Sequence, residues 1–268
     1  MSARRSSHRV WKTALAIYTA AFFCMLYGPL VIIGILSFND SEVVGLPLRG
    51  WTTQWYERVA ETPALMTSLF NSIAVGVFSA LGATVLALTL SLAFRRGLVG
   101  QKVIFQLILM PIILPGIVGG IVLLIFFGYL GVRSSLYTTV LVAHINWVLP
   151  FAFLTLYPRV LGLDRSLEEA AMDLGAKPIM VFRRVVFPIL MPAMAATALF
   201  SFSLSFDEFV RTLFVTGFDR TIPVAFWSLI VDDLAPELPA MAVCVVAISI
   251  VVSSLGFFLS RKSTGNQQ

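Results

Sequence analysis

Residues 166–188 read Ser-Leu-Glu-Glu-Ala-Ala-Met-Asp-Leu-Gly-Ala-Lys-Pro-Ile-Met-Val-Phe-Arg-Arg-Val-Val-Phe-Pro. Ser166 and Glu169 have the spacing of a capping box, which starts a helix by satisfying its first free N–H groups. Leu167, Ala170, Ala171 and Leu174 then recur at i, i+3, i+4 and i+7, one apolar stripe on an otherwise polar helix. Gly175 is placed to end that helix in a left-handed turn, and Pro178 follows at the usual distance. A second helix is expected to begin near Pro178 and run through Phe182 into the apolar residues beyond. The result is a short amphipathic helix, a sharp turn and a rigid continuation into a long uncharged run, so the fold turns on the runs to either side.

Those runs are long. The chain has 268 residues, of which 58% are hydrophobic and only 12% charged, against roughly 45–50% and 25% in soluble domains. The charges are bunched, and the uncharged intervals between them define six spans near residues 13–38, 64–94, 103–132, 134–158, 186–206 and 239–260. Most reach the ~20 residues that carry a helix across a ~30 Å hydrocarbon core. Transmembrane β-barrels use alternating segments of about ten residues, which these continuous runs do not resemble. The expected fold is therefore all-α with six transmembrane helices. Pro111, Pro115 and Gly116 interrupt the third interval, consistent with a kink or with a break lining a cavity. Gly116 and Gly120 form a small-xxx-small pair suited to close helix approach.

Basic residues orient the chain. With the N-terminus inside, the cytoplasmic segments hold Arg4, Arg5, Arg9 and Lys12; Arg95, Arg96 and Lys102; Arg159, Arg165, Lys177, Arg183 and Arg184; and Arg261 and Lys262, most of the 19 Lys and Arg residues. That asymmetry puts both termini in the cytoplasm and accounts for the net charge of +5 without invoking nucleic acid. Residues 13–39 are too long for the ~7–15-residue core of a signal peptide, so the first span is expected to be retained. The organisation that follows is a cytoplasmic tail (1–12), one membrane domain (13–260) with a cytoplasmic loop at 159–185, and a polar, disordered C-terminal tail within 261–268. Residues 39–63 and 207–238 lie outside; Trp51, Trp55 and Tyr56 in the first suit the membrane interface, and the apolar stretch 221–231 in the second is too short to span. Cys24 and Cys244 each lie in an apolar run and form no metal-binding or disulfide pattern.

The 166–174 helix could lie on the lipid surface or dock in a groove on a partner. Glu168, Glu169 and Asp173 disfavour the anionic inner leaflet, and the alanines permit close approach to a partner. The pattern Glu169-Ala170-Ala171, three residues, Gly175, nine residues, Val185, then Phe187-Pro188 resembles the EAA loop of ATP-binding-cassette importer permeases, with Val185 and Phe187 where Ile and Leu are usual. Asn71-Ser72 at the start of the second span is also similar to that family. The resemblance implies the type I importer fold, with 159–185 as the coupling loop and Glu169, Ala170, Ala171, Gly175 and Pro188 at the contact with the ATPase. It further implies as partners an ATP-binding cassette dimer, a second permease subunit (expected to be a different chain), and a periplasmic solute-binding protein, around a multi-pass protein of the bacterial inner membrane. No Gly-Lys pair occurs anywhere, so no P-loop can hold ATP phosphates. The chain is expected to be a transport subunit that binds no cofactor, with ATP consumed by the partner.

For the solute, Ser201–Gly217 and Val231–Ala240 look like the second permease of spermidine/putrescine importers; permeases for iron, thiamine, phosphonates and opine-like compounds carry similar stretches. Asp207 and Glu208 follow an apolar run, where ionised carboxylates favour a cavity and could compensate a passing organic cation. They could equally cap the loop in water or pair with Arg211. Asn146 and Trp147 in the fourth span are the other candidates for the path. His144 beside them is more consistent with an interhelical hydrogen bond than with a metal. A self-contained ion-coupled transporter is the rival from another class, but it leaves the acidic cytoplasmic helix without a role. No nucleophile–base pair or metal cluster favours a membrane enzyme.

Overall fold

The computed structural model describes residues 2–232 and 235–265. Its elements in order are α1 (Ser2–Leu36), α2 (Gln54–Glu61), α3 (Pro63–Arg95), α4 (Gln101–Ile113), α5 (Gly116–Tyr129), a π-helical turn (Leu136–Val140) leading into α6 (Leu141–Leu161), α7 (Arg165–Asp173), α8 (Pro178–Val181), a second π-helical turn (Phe182–Val186), α9 (Phe187–Phe206), α10 (Val210–Val215), α11 (Ile222–Asp232) and α12 (Leu238–Gly265). Among the described residues there is no strand, only an isolated bridge between Asn39 and Trp51.

The helices Trp11–Leu36, Pro63–Arg95, Leu136–Leu161 and Pro178–Phe206 are each long and apolar enough to cross a membrane, and the α4–α5 pair makes a fifth if taken as one span. The third expected span, 103–132, is not one rod. Between α4 and α5 the chain turns by 109°. Leu114 is extended, with ψ of 129°, the conformation favoured in a residue that precedes proline, here Pro115. α12 covers the sixth expected span and has its apolar stretch at Leu238–Val251. It remains helical to Gly265, where a disordered tail was expected from 263; residues 266–268 of that tail lie outside the described residues. The N-terminal tail is likewise helical from Ser2 onward.

Two compact units make up the chain, one of residues 1–62 and 229–246, the other of residues 63–228 and 247–268. In the first, the 39–63 segment folds on its own rather than laying all its aromatics at a lipid boundary. Trp55 is 1% exposed, because its indole N–H finds the Asn39 carbonyl at 2.7 Å. The Tyr56 and Ser37 hydroxyls meet at 2.7 Å, and Trp51 is left exposed.

In the second unit, α3, α6 and α9 form the core. Pro63 opens α3, where a missing N–H costs nothing. Ala83 and Ala87 of α3 are fully buried in one cluster with Val148, Ala152, Phe153 and Leu156 of α6 and Leu190 of α9. Small residues on α3 let the helix axes approach, which compensates for the weak hydrophobic drive between helices in lipid. The same core reaches Leu163, Val181 and Val186, so the loop carrying α7 is anchored at both ends while α7 itself buries no residue.

Candidate functional site

Two places in the second unit carry the residues singled out from the sequence. The first is the α7 loop. Its helix begins two residues earlier than a cap at Ser166 would start it. Asp164 is the N-cap, accepting from the Ser166 N–H at 2.9 Å, and this hydrogen bond holds its carboxyl below the ordinary carboxylate range. Asp164 caps at this earlier position with a full negative charge at the positive end of the helix. At the other end Gly175 has φ of +83°. Its N–H bonds the Met172 carbonyl at 2.8 Å and the Ala176 N–H bonds the Ala171 carbonyl at 3.1 Å, the paired bonds of a Schellman turn. Glu169 and Ala170 are exposed and Ala171 is half-buried. Beyond the turn, α8, the π-helical turn and α9 run without a break from Pro178 to Phe206, with Pro188 exposed at the second position of α9. The expected helix, turn and continuous passage are all present.

The second place is a buried polar cluster where α9, α10 and α6 meet. Glu208 and Arg211 are 8% and 5% exposed, so neither sits in water as an external loop residue. One Glu208 oxygen accepts the Arg211 backbone N–H at 2.8 Å, and the other pairs with its guanidinium at 3.0 Å. The guanidinium carbon lies 3.8 Å from the centroid of the Trp147 ring, a cation–π contact. Glu208 therefore has both oxygens engaged, while Asp207 is exposed and makes one long contact, from the Ser249 hydroxyl at 3.5 Å. Asn146 and Arg211 line a cavity of about 160 Å³ together with Leu107, Met110, Leu114 and Gly119 of the broken α4–α5 pair. A Cβ on Gly120 would lie 2.5 Å from the Phe214 ring, so α10 packs on α5 only because that position is glycine.

His144 has the interhelical role expected of it, and its tautomer can be derived. The Thr212 hydroxyl donates its single proton to the Glu208 carbonyl at 2.8 Å. It can then only accept from His144 Nε2, 2.7 Å away, which leaves Nδ1 to accept from the Ser205 hydroxyl at 2.7 Å. A neutral imidazole satisfied on both sides locks α6 to α9 and α10. Asn71 and Ser72 also acquire a role. Asn71 Nδ2 donates to the Arg220 carbonyl at 3.0 Å and Ser72 Oγ accepts from the Ile222 N–H at 2.8 Å, so the start of α3 holds the start of α11. Arg95, which sequence reading treated only as a topogenic charge, is bonded to Glu168 and to the Leu163 carbonyl. The Glu208–Arg211 spacing of i, i+3 is visible in the sequence; the Arg95 contacts are not.

Comparison with known proteins places this architecture. The chain is 33% identical over 252 residues, 93% of its length and 95% of the relative's, to the spermidine/putrescine transport system permease protein PotC of Escherichia coli (strain K12). It is 30% identical over 251 residues, covering 90% of this chain and 88% of the other, to the putrescine transport system permease protein PotI of the same organism. A crystal structure of a bacterial ABC transporter involved in import of the acidic polysaccharide alginate has a chain of the same fold, at 18% identity with a TM-score of 0.68 over 96% of this chain and 97% of that one. The family model for the binding-protein-dependent transport system inner membrane component matches residues 83–264, from the core of α3 past the α7 loop and through most of α12. The chain therefore belongs to the family of inner membrane components of binding-protein-dependent transport systems, as a multi-pass permease subunit.

Proposed function

We propose that this chain is one permease of an ATP-driven importer for a small organic cation, with spermidine or putrescine as the favoured solute. The observation that carries the solute class is the 33% identity to PotC over 93% of the chain. α7, which buries no residue fully, is the coupling helix that seats in an ATPase subunit, with Glu169, Ala170, Ala171 and Gly175 at the contact and Pro188 in the link to the membrane. A second, different permease completes the path, and a periplasmic binding protein delivers the solute. Six spans place both termini in the cytoplasm, with residues 13–260 as the membrane domain. ATP is held and hydrolysed by the partner.

In the path, Asp207, Glu208, Asn146 and Trp147 have unequal roles. Each ammonium of a polyamine is costly to dehydrate unless a carboxylate or aromatic face replaces water. Glu208 and the Trp147 face are engaged by Arg211, so Asp207 is the carboxylate with free capacity. Asp207→Asn is expected to lower uptake about tenfold, as losing one charge-assisted contact does, with normal assembly. Glu208→Gln leaves Arg211 buried without its counter-charge and is expected to lower assembly instead. The test is competitive uptake by the full complex in proteoliposomes, with polyamines against neutral sugars, thiamine, iron chelates, phosphonates, opine-like compounds and other organic anions. Competition by putrescine or spermidine alone supports the proposal. Competition by another class, with none by polyamines, overturns the solute and leaves the family standing.

A further inference from the structure

Arg95 is the last residue of α3, and its side chain is only 8% exposed. Its guanidinium forms an ion pair with Glu168 in the first turn of α7, and Nη2 donates to the Leu163 carbonyl at 2.9 Å. Reciprocally, Arg165 Nη2 donates to the Arg95 carbonyl at 2.7 Å. The end of α3, the turn before α7 and the first turn of α7 are thus stitched together by two arginines. Glu168 and Glu169 are neighbours with opposite assignments. Glu168, 23% exposed in its side chain, is turned toward α3, whereas Glu169 is left exposed.

We infer that the Arg95–Glu168 pair is a second coupling strut, which makes α3 move with α7 and makes Arg95 a positioning residue for transport. This rests on the proposal that α7 docks on an ATPase. Chain continuity joins α7 to α9 through the Gly175 turn and α8, and to α6 through residues 162–164. It reaches α3 only through packing between helices, where small residues slide easily. The strut reaches α3 directly. A planar guanidinium held at two points resists both rotation and translation, which a lysine ammonium does not. α3 also contributes Ala83, Ala87, Leu88 and Phe94 to the core it shares with α6 and α9. Drawing on α3 as well as on α6 and α9 therefore moves the three-helix core as one body, whereas drawing on α6 and α9 alone shears them against α3.

The test uses the assembled complex, with this chain, its co-permease, the ATPase and the binding protein in proteoliposomes, and reads solute imported per ATP hydrolysed. Arg95→Met and Glu168→Gln are each expected to lower that ratio roughly five- to tenfold with ATP hydrolysis still stimulated by loaded binding protein. Arg95→Lys is expected to fall between them and the wild type. A chain carrying Arg95→Cys and Glu168→Cys, with Cys24 and Cys244 replaced by serine, is expected to be uncoupled until a short thiol–thiol crosslinker joins the two positions. Recovery of the ratio on crosslinking is the supporting result, and it holds even if the single variants assemble poorly. A wild-type ratio in assembled Arg95→Met, or no recovery on crosslinking, overturns the strut. A wild-type chain that neither binds nor stimulates an ATPase would instead remove the docking proposal beneath it.

Discussion

Gly175 shows how much one residue can decide. Its φ of +83° is a conformation that L side chains rarely adopt, yet a Cβ there would meet nothing within 4 Å. The penalty for a side chain is thus purely a backbone one, about 1–2 kcal/mol and more when β-branched. Gly175→Val is expected to re-aim α7 and abolish uptake while the protein still inserts, whereas Gly175→Asn, which tolerates the left-handed region, keeps most activity. Equal uptake by the two variants, measured at matched protein levels, would remove the turn from the mechanism. Glycine and apolar stripe were legible in the sequence because their partners lie within a dozen residues, whereas the cap expected at Ser166 is made by Asp164. Arg95 and Glu168 are separated by 73 positions, and no local pattern announces such a pair. Arg211 was legible as a partner for Glu208 but not as a buried one, since burial depends on the Trp147 face and on α5, both distant in sequence.

Among the elements, the break between α4 and α5 carries the clearest physical signature. Pro115 is the N-cap of α5 and no side chain caps it. The first intrahelical N–H bond of that helix is from Gly119 to the Pro115 carbonyl, at 3.0 Å. The amides of Gly116, Ile117 and Val118 precede it, and hydrocarbon offers such donors nothing, so the break must face protein or water. Amide hydrogen exchange is expected to be faster at 116–118 than at Val75–Ala83 in the middle of α3, and Pro115→Ala is expected to slow it by straightening the pair. Full protection of 116–118 in the wild-type complex would place the break against a dry surface. The prolines marked this point in the sequence, but kink and break use the same residues. What separates them is α10, whose packing against Gly120 rewards the turned chain, and that reward is tertiary.

At the scale of the whole molecule the alternation of inside and outside segments is the property to measure. Single cysteines at Glu57, Lys177 and Asp219, all exposed positions, in a chain with Cys24 and Cys244 replaced by serine, are expected to react with an impermeant reagent from the periplasm, the cytoplasm and the periplasm respectively. Labelling of position 177 from the periplasm would invert the whole arrangement. Four long apolar helices were legible near their expected places because a ~30 Å apolar slab imposes a length that composition alone reveals. The partition into units was not, since it joins residues 1–62 to residues 229–246 with the other unit threaded between. That interleaving has a bearing on birth order. A ribosome adding about 5–20 residues per second leaves residues 1–62 waiting for on the order of ten to thirty seconds before residues 229–246 emerge. Throughout that interval the unit stands incomplete in the nascent chain, a window in which insertion chaperones and membrane proteases compete for it. A stop codon placed just after 228 would make that window permanent, and turnover would then read out the missing segment.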